Sequence, residues 1–109
     1  MAYAQGSVVL APATFKSGVR PYLVVSNRNR PFFGDRYTVA VITSTERETA
    51  VELTAESLRE GELKKYPSYV SPWSLHVFPH QEITKRVAQV DNATMTAVAD
   101  GIHDLTRVV

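Results

Sequence analysis

The apolar positions of this chain fall mostly in short, β-branched runs, and such runs predict strands. The run over residues 21–26 is apolar without alternation, which predicts a strand that is buried on both faces. Pro21 has no amide proton, so we expect it at the start of that strand. Short turns such as residues 16–18 favour antiparallel neighbours. The first four predicted strands cover residues 7–11, 21–26, 37–43 and 50–53.

Two later runs extend the β pattern. Residues 69–78 are rich in aromatic and β-branched side chains, and Pro72 within them indicates an edge strand or a bulge. Residues 83–90 alternate and predict a last strand. Between the strands, Thr54 can cap a brief helix over residues 55–60, with Gly61 beyond its end.

Helical spacing is clearest at the C-terminus, where Asp91 is a good N-cap for an amphipathic helix. The predicted fold class is therefore mainly β with helices (α+β). We expect a small antiparallel barrel with the C-terminal helix packed on it, because closure hides sheet edges. The length fits one domain over residues 1–109. The apolar face of the helix is predicted to consist of Met95, Val98, Ala99, Ile102 and Leu105.

The composition narrows the function classes. The formal net charge of +1 argues against a strongly basic protein that coats nucleic acid, but it allows a local basic patch. The absence of cysteine excludes disulfides and thiolate metal sites. No apolar run approaches the roughly 20 residues that span a bilayer, and the N-terminus does not resemble a signal peptide. We therefore expect a cytoplasmic protein with no membrane partner.

Two histidines have a spacing that is typical of metal sites on helices. His76 and His80 are four residues apart, but the β-branched context and Pro79 oppose a helix. On a strand, four residues span about 13 Å, which is too far for one shared ion. We therefore predict no metal site.

Three segments together indicate a family. A Gly-led strand comes first, then an Arg-Pro followed by an apolar strand that ends in Ser-Asn, and then an apolar strand that ends in Ile-Thr. In this order and spacing the chain resembles the MazF/PemK family of toxin endoribonucleases. The likeness extends over nearly the whole chain. The segments are residues 6–10, 18–27 and 39–45, with further similarity at 67–70, 87–91 and the last helix.

The resemblance implies an SH3-like barrel, a homodimer and a cognate acidic antitoxin. It also implies cleavage of single-stranded RNA without metal or other cofactor, with the RNA 2′-hydroxyl as nucleophile and a cyclic phosphate as product. The family's catalytic arginine falls on Arg20 and its catalytic threonine on Thr43. A guanidinium can donate two parallel hydrogen bonds to phosphorane oxygens, and a hydroxyl can add a third. Because guanidinium stays charged, we expect Arg20 to act by electrostatic stabilisation first, and as general acid only by family analogy. The alternative is that both are ordinary solvated side chains.

Further candidates for RNA binding lie in a loop and beside Thr43. Arg28, Arg30 and Phe33 interleave cations with aromatic rings, which suits phosphates and stacked bases. The alternative is a basic loop whose phenylalanines pack at a dimer contact. Ser44 follows Thr43 in the same segment and is also a candidate.

One strand departs from the family pattern. Well-known members have an acidic residue and then an arginine that help bind RNA, whereas this chain has Trp73 and His76. Trp73 could stack a base, and His76 could act as acid or base near neutral pH. Otherwise Trp73 belongs to the core or an interface, and His76 to the surface. A barrel that binds RNA or peptide without cutting, or a purely structural dimerisation domain, therefore stays open.

Overall fold

The computed structural model describes residues 2–14 and 16–109, and within them seven strands form one antiparallel sheet. The described part also contains two 3-10 helices, Ala55–Ser57 and His80–Glu82, and one α-helix, α1 (Asn92–Thr106). The strands are β1 (Ser7–Pro12), β2 (Val19–Val24), β3 (Arg36–Thr43), β4 (Val51–Leu53), β5 (Leu58–Gly61), β6 (Ser68–Pro79) and β7 (Lys85–Val90).

The strand order forces the sheet to roll up. The order is β4-β6-β3-β2-β1-β7-β5, so the two edge strands, β4 and β5, are consecutive along the chain. Four residues, 54–57, connect them. Such a link reaches at most about 14 Å, which brings the two edges together. The prediction of a small antiparallel barrel with a C-terminal helix is therefore confirmed.

Two apolar clusters lie on opposite faces of the curved sheet. Because side chains alternate along a strand, Val8 belongs to one cluster and Val9 to the other. The predicted burial of β2 on both faces is confirmed, since Tyr22, Leu23 and Val24 are all fully buried. The first cluster also includes Ala40, Ile42, Leu53, Val70, Ala88, Val90 and Val98, and the second also includes Ala11, Tyr37, Val39, Phe78 and Ile83.

Helix α1 begins as predicted. The Asp91 carboxylate accepts a hydrogen bond from the Thr94 amide at 2.8 Å. Hydrogen bonding to the side chain and the backbone of Thr94 lowers the pKa of Asp91. Among the described residues, no helix combines the length and the apolar character that crossing a membrane requires. On the predicted apolar face, Met95, Val98 and Ile102 pack against the barrel, whereas Ala99 and Leu105 are exposed.

The helix predicted over residues 55–60 is wrong for its second half. Only Ala55–Ser57 is helical, and Leu58 already pairs with Val90 in the sheet. Leu58 also packs against the first cluster, so pairing and burial outweigh the local helical signal. The predicted cap at Thr54 does start the turn, and its amide donates to the Ser57 hydroxyl at 3.1 Å.

Proline placement agrees in part with the prediction. Strand β2 begins at Val19, two residues before Pro21, and its ladder with β3 begins only at Tyr22. The bulge that Pro72 indicates is confirmed in β6. Ala40 pairs with Leu75 and the next residue of β3 pairs with Ser71, so residues 72–74 have no partner on that strand. The strand predicted over 83–90 begins at Lys85, after the second 3-10 helix.

Candidate active site

Arg20 and Thr43 come together where β2 begins and β3 ends. The ladder between these strands pairs Tyr22 with Val41, and the same register continued by two residues sets Arg20 across from Thr43. The Arg20 side chain reaches β3, because its Nη2 donates to the Ile42 carbonyl at 2.9 Å. Directly opposed residues share a face of a sheet. The two residues therefore lie side by side at one end of the barrel.

The Arg20 guanidinium is held by few contacts. Its Cζ lies 5.9 Å from the centre of the Tyr22 ring, at cation–π distance. Its Nε is buried and has no hydrogen-bond partner among residues 2–14 and 16–109. Of the five N–H donors of a guanidinium, the Ile42 carbonyl takes one. The group is thus oriented by the protein while most of its donors stay uncommitted.

A cleft of about 400 Å³ opens beside this pair. Arg20, Thr43 and Ser44 line it together. Cations dominate its charged groups, while a broad apolar surface could carry the flat face of a base. Such a mixture of fixed cations and apolar surface suits a nucleic-acid strand. The other lining residues are Lys16, Lys64, Lys65 and Glu62, with Ser68 and the apolar Leu10, Val19, Pro21, Ile42, Leu63 and Val87.

Thr43 carries its hydroxyl group at the end of β3, where the residue is paired with Tyr69 of β6. The Thr43 Oγ1 accepts a hydrogen bond from the Thr45 amide at 3.2 Å, which leaves its own proton for another acceptor. Thr43 pairs with Tyr69, which also pairs with Glu52 of β4. Burial raises the pKa of Tyr69, and the charges of Glu46 and Glu52 add to the shift. The phenol therefore stays protonated at neutral pH.

The three loop candidates lie outside this cleft. Arg28 is exposed, and Arg30 folds back onto its own loop and strand. Its Nε donates to the Thr38 hydroxyl at 2.9 Å, and its Nη1 to a neighbouring carbonyl at 2.8 Å. Phe33 is partly exposed and meets Tyr37 edge-on, with 6.5 Å between ring centres. Arg30 thus helps fix the loop, whereas Arg28 and Phe33 remain accessible.

Trp73 and His76 also lie outside the lining of the cleft. Trp73 sits in the bulge of β6 with 41% of its surface exposed, so it does not belong to the core of the monomer. His76 is half-buried against the rings of Tyr22 and Phe78, whose centres lie 6.1 and 6.3 Å away. The Tyr22 ring also lies beside the Arg20 guanidinium, so His76 is connected to the candidate site through this one aromatic side chain.

Three lysines of the cleft were missed in the sequence. Lys16 stands in the β1–β2 loop, and Lys64 and Lys65 stand in the β5–β6 loop. A charged turn usually faces solvent, so the sequence shows nothing unusual there. The adjacent pair of lysines just before an aromatic residue was the one available signal. As for metals, the described ranges hold no group of three or more His, Asp or Glu side chains that could bind one ion.

Together these features define a small, nearly closed antiparallel barrel with an arginine, a threonine and several lysines around one cleft, a site built for an anionic ligand. Residues 4–106 match the family model described as PemK-like, MazF-like toxin of type II toxin-antitoxin system. The chain therefore belongs to the PemK-like, MazF-like toxin family.

Solved structures share the fold. The Mycobacterium tuberculosis toxin MazF-mt6 is 25% identical, with a TM-score of 0.70 over 90% of this chain and 93% of that one. An endoribonuclease in complex with its cognate antitoxin, from a mycobacterial species, is 19% identical with a TM-score of 0.74, over 94% and 91%. The MazE–MazF complex from Deinococcus radiodurans is 16% identical with a TM-score of 0.76, over 100% and 99%. A search among curated proteins gave no match.

Proposed function

We propose that this family member is a toxin endoribonuclease that cuts single-stranded RNA through attack of the RNA's own 2′-hydroxyl. The observation that carries the proposal is the meeting of Arg20 and Thr43 at one cationic cleft. Family membership and the likeness to toxins and endoribonucleases of known structure support it. The domain is expected to comprise residues 1–109.

The proposed cleavage reaction requires groups that stabilise negative charge on the phosphate, and protein side chains can supply them without a metal. The 2′-oxygen bonds to phosphorus while the bond from phosphorus to the 5′-oxygen breaks. The 2′-hydroxyl loses a proton and the departing oxygen gains one, which yields a 2′,3′-cyclic phosphate and a 5′-hydroxyl. Charge builds on the non-bridging oxygens, where the uncommitted Arg20 donors can bind in a fork. The Thr43 hydroxyl can donate one further hydrogen bond. Fixed donors of this kind typically contribute about 10²–10³-fold in rate.

Partners follow from the charge of the cleft. Arg20 and three lysines attract an acidic chain, so a cognate acidic antitoxin laid over the cleft would block RNA. One of the similar structures is an endoribonuclease in complex with its cognate antitoxin, and another is a complex of MazE with MazF. We further propose that the protein is a homodimer and acts in the cytoplasm, where messenger RNA is available. Arg28, Phe33 and Trp73 are exposed enough to contact RNA beyond the cleft or a second copy. Arg30, Ser44 and His76 remain candidate RNA-binding residues.

The test is cleavage of a long single-stranded RNA in EDTA by wild type and by Arg20→Ala. We expect sequence-dependent cuts with cyclic phosphate ends from the wild type, and a loss of at least about 10²-fold in the variant. RNA with 2′-deoxyribose at a mapped site should resist cleavage there. Tight binding with no cuts by either protein would instead identify a non-catalytic barrel that binds RNA.

A further inference from the structure

The β5–β6 loop carries charge that the catalytic proposal does not use. Lys64 and Lys65 line the same cleft as Arg20 and Thr43. Two ion pairs form within residues 2–14 and 16–109, Arg86 with Glu60 and Arg107 with Asp104, and neither includes a lysine. The charges of the two lysines are therefore not neutralised by a direct protein partner in the described part of the chain.

The backbone of this loop is fixed in place. The hydroxyl of Ser68, a residue with only 6% exposure, donates to the Lys65 carbonyl at 2.7 Å. The Leu63 amide donates to the Tyr66 hydroxyl at 2.8 Å. Ser68 begins β6, and the next residue of that strand pairs with Thr43. The loop is thus tied to the strand position that faces the candidate threonine.

We propose that Lys64 and Lys65 form a second phosphate subsite, which holds a phosphate of the RNA next to the one that is cut. The proposal rests on the proposed function and adds to it a substrate requirement. The cleft favours strands with phosphates flanking the scissile one over a lone phosphodiester. Lysine is a compact point charge without the planar fork of arginine, which suits backbone phosphates rather than base edges. The subsite therefore raises affinity for all RNA sequences alike and leaves the choice of cleavage site to other residues.

The test compares Lys64→Ser/Lys65→Ser with a control that removes equal charge at two exposed residues outside the cleft lining, Arg59→Ser/Arg107→Ser. Binding is measured by fluorescence anisotropy at several salt concentrations, on RNA with 2′-deoxyribose at the mapped cleavage position. For single strands each phosphate contact contributes about 0.7 to the slope of log affinity against log salt. Loss of the contact to that one phosphate makes the slope shallower by about 0.7, so the wild-type advantage shrinks about fivefold for a tenfold rise in salt.

Cleavage kinetics provide the second measurement. On long RNA we expect the lysine double variant to raise KM while kcat stays within about twofold, because these lysines do not contact the reacting atoms. The minimal substrate consists of two nucleosides joined by the scissile phosphate alone. On this substrate the kcat/KM of the lysine double variant should equal that of wild type. An unchanged salt slope, or an equal loss in the control variant, would overturn the subsite. So would an equal loss on the minimal substrate.

The two proposals can fail separately. If the wild type cuts no RNA, the proposed activity fails, and anisotropy on unmodified RNA still decides whether the lysines bind phosphate. If the wild type cuts RNA and the lysine variant keeps the wild-type slope, the subsite alone is refuted. Thermal unfolding of each variant verifies the fold, and a single Lys64→Ser variant replaces the double one if that protein is unstable.

Discussion

Arg20→Lys is the substitution that separates charge from geometry. The arginine side chain holds the Ile42 carbonyl with one N–H at 2.9 Å and keeps further donors for a phosphate. A lysine ammonium can reach the carbonyl or a phosphate oxygen, but it has no planar fork to bind two oxygens in parallel. The positive charge is therefore kept while the bidentate contact is lost.

The expected losses differ in size for activity and stability. Loss of a fixed donor to developing charge lowers kcat by about 10²–10³-fold, or about 2.7–4 kcal/mol in the activation free energy. The Ile42 hydrogen bond is worth about 1 kcal/mol of folding stability if lysine fails to replace it. A change of that size still leaves a domain of this length folded.

The assay is single-turnover cleavage of a defined RNA in EDTA, with thermal unfolding of the same samples. Arg107→Lys, at the exposed end of α1, is the matched control and should keep full activity. If Arg20→Lys cuts RNA within about threefold of wild type, a point charge is enough and the fork mechanism is refuted. If Arg107→Lys loses as much, the effect is not specific to the cleft.

Three further expectations concern the second site residue, the helix cap and the glycine at the end of β5. Thr43→Ala should lower kcat by at least about tenfold, whereas Thr43→Ser should keep most of the activity, because the hydroxyl is the group that donates to the phosphate. Equal rates for the Ala and Ser variants in the same cleavage assay would contradict this. Asp91→Ala should cost about 1 kcal/mol of unfolding free energy in urea, through loss of the bond to the Thr94 amide. Because the pKa of Asp91 is lowered in the folded state, this stabilisation is present above its ordinary pKa of about 3.9 and disappears as the pH falls through the folded value. A gap between wild type and Asp91→Ala that stays constant down to strong acid would refute that account. Gly61→Ala should be far more destabilising than Gly18→Ala, although both glycines have positive φ, because a Cβ at Gly61 would clash with the Val87 carbonyl whereas one at Gly18 would meet open space. Similar melting temperatures for the two variants would show that the backbone moves aside.

The sequence predicted those elements whose signals are local. Helix α1 has its cap and its apolar spacing within one continuous stretch, and the structure confirms the cap and three of the five apolar positions. The helix predicted after Thr54 was wrong in its second half because the conformation of that segment depends on β7, about thirty residues later. Pairing with Val90 decides its conformation, and single-segment propensity contains no information about that partner.

The candidate site illustrates the same limit. Nothing about Arg20 or Thr43 alone distinguishes them from solvated residues, and the family resemblance was needed to single them out. Lys64 and Lys65 look like any charged turn until the rolled sheet brings their loop to the end of β3. Cleft membership is a property of the closed barrel, since its lining comes from segments as distant as Leu10 and Val87.

The two strands that the four-residue link joins, β4 and β5, also limit strand pairing between molecules at the sheet edges. These edge strands are only three and four residues long. Short edge strands offer another molecule few unpaired amide and carbonyl groups, which lowers the risk of edge-to-edge aggregation at high concentration.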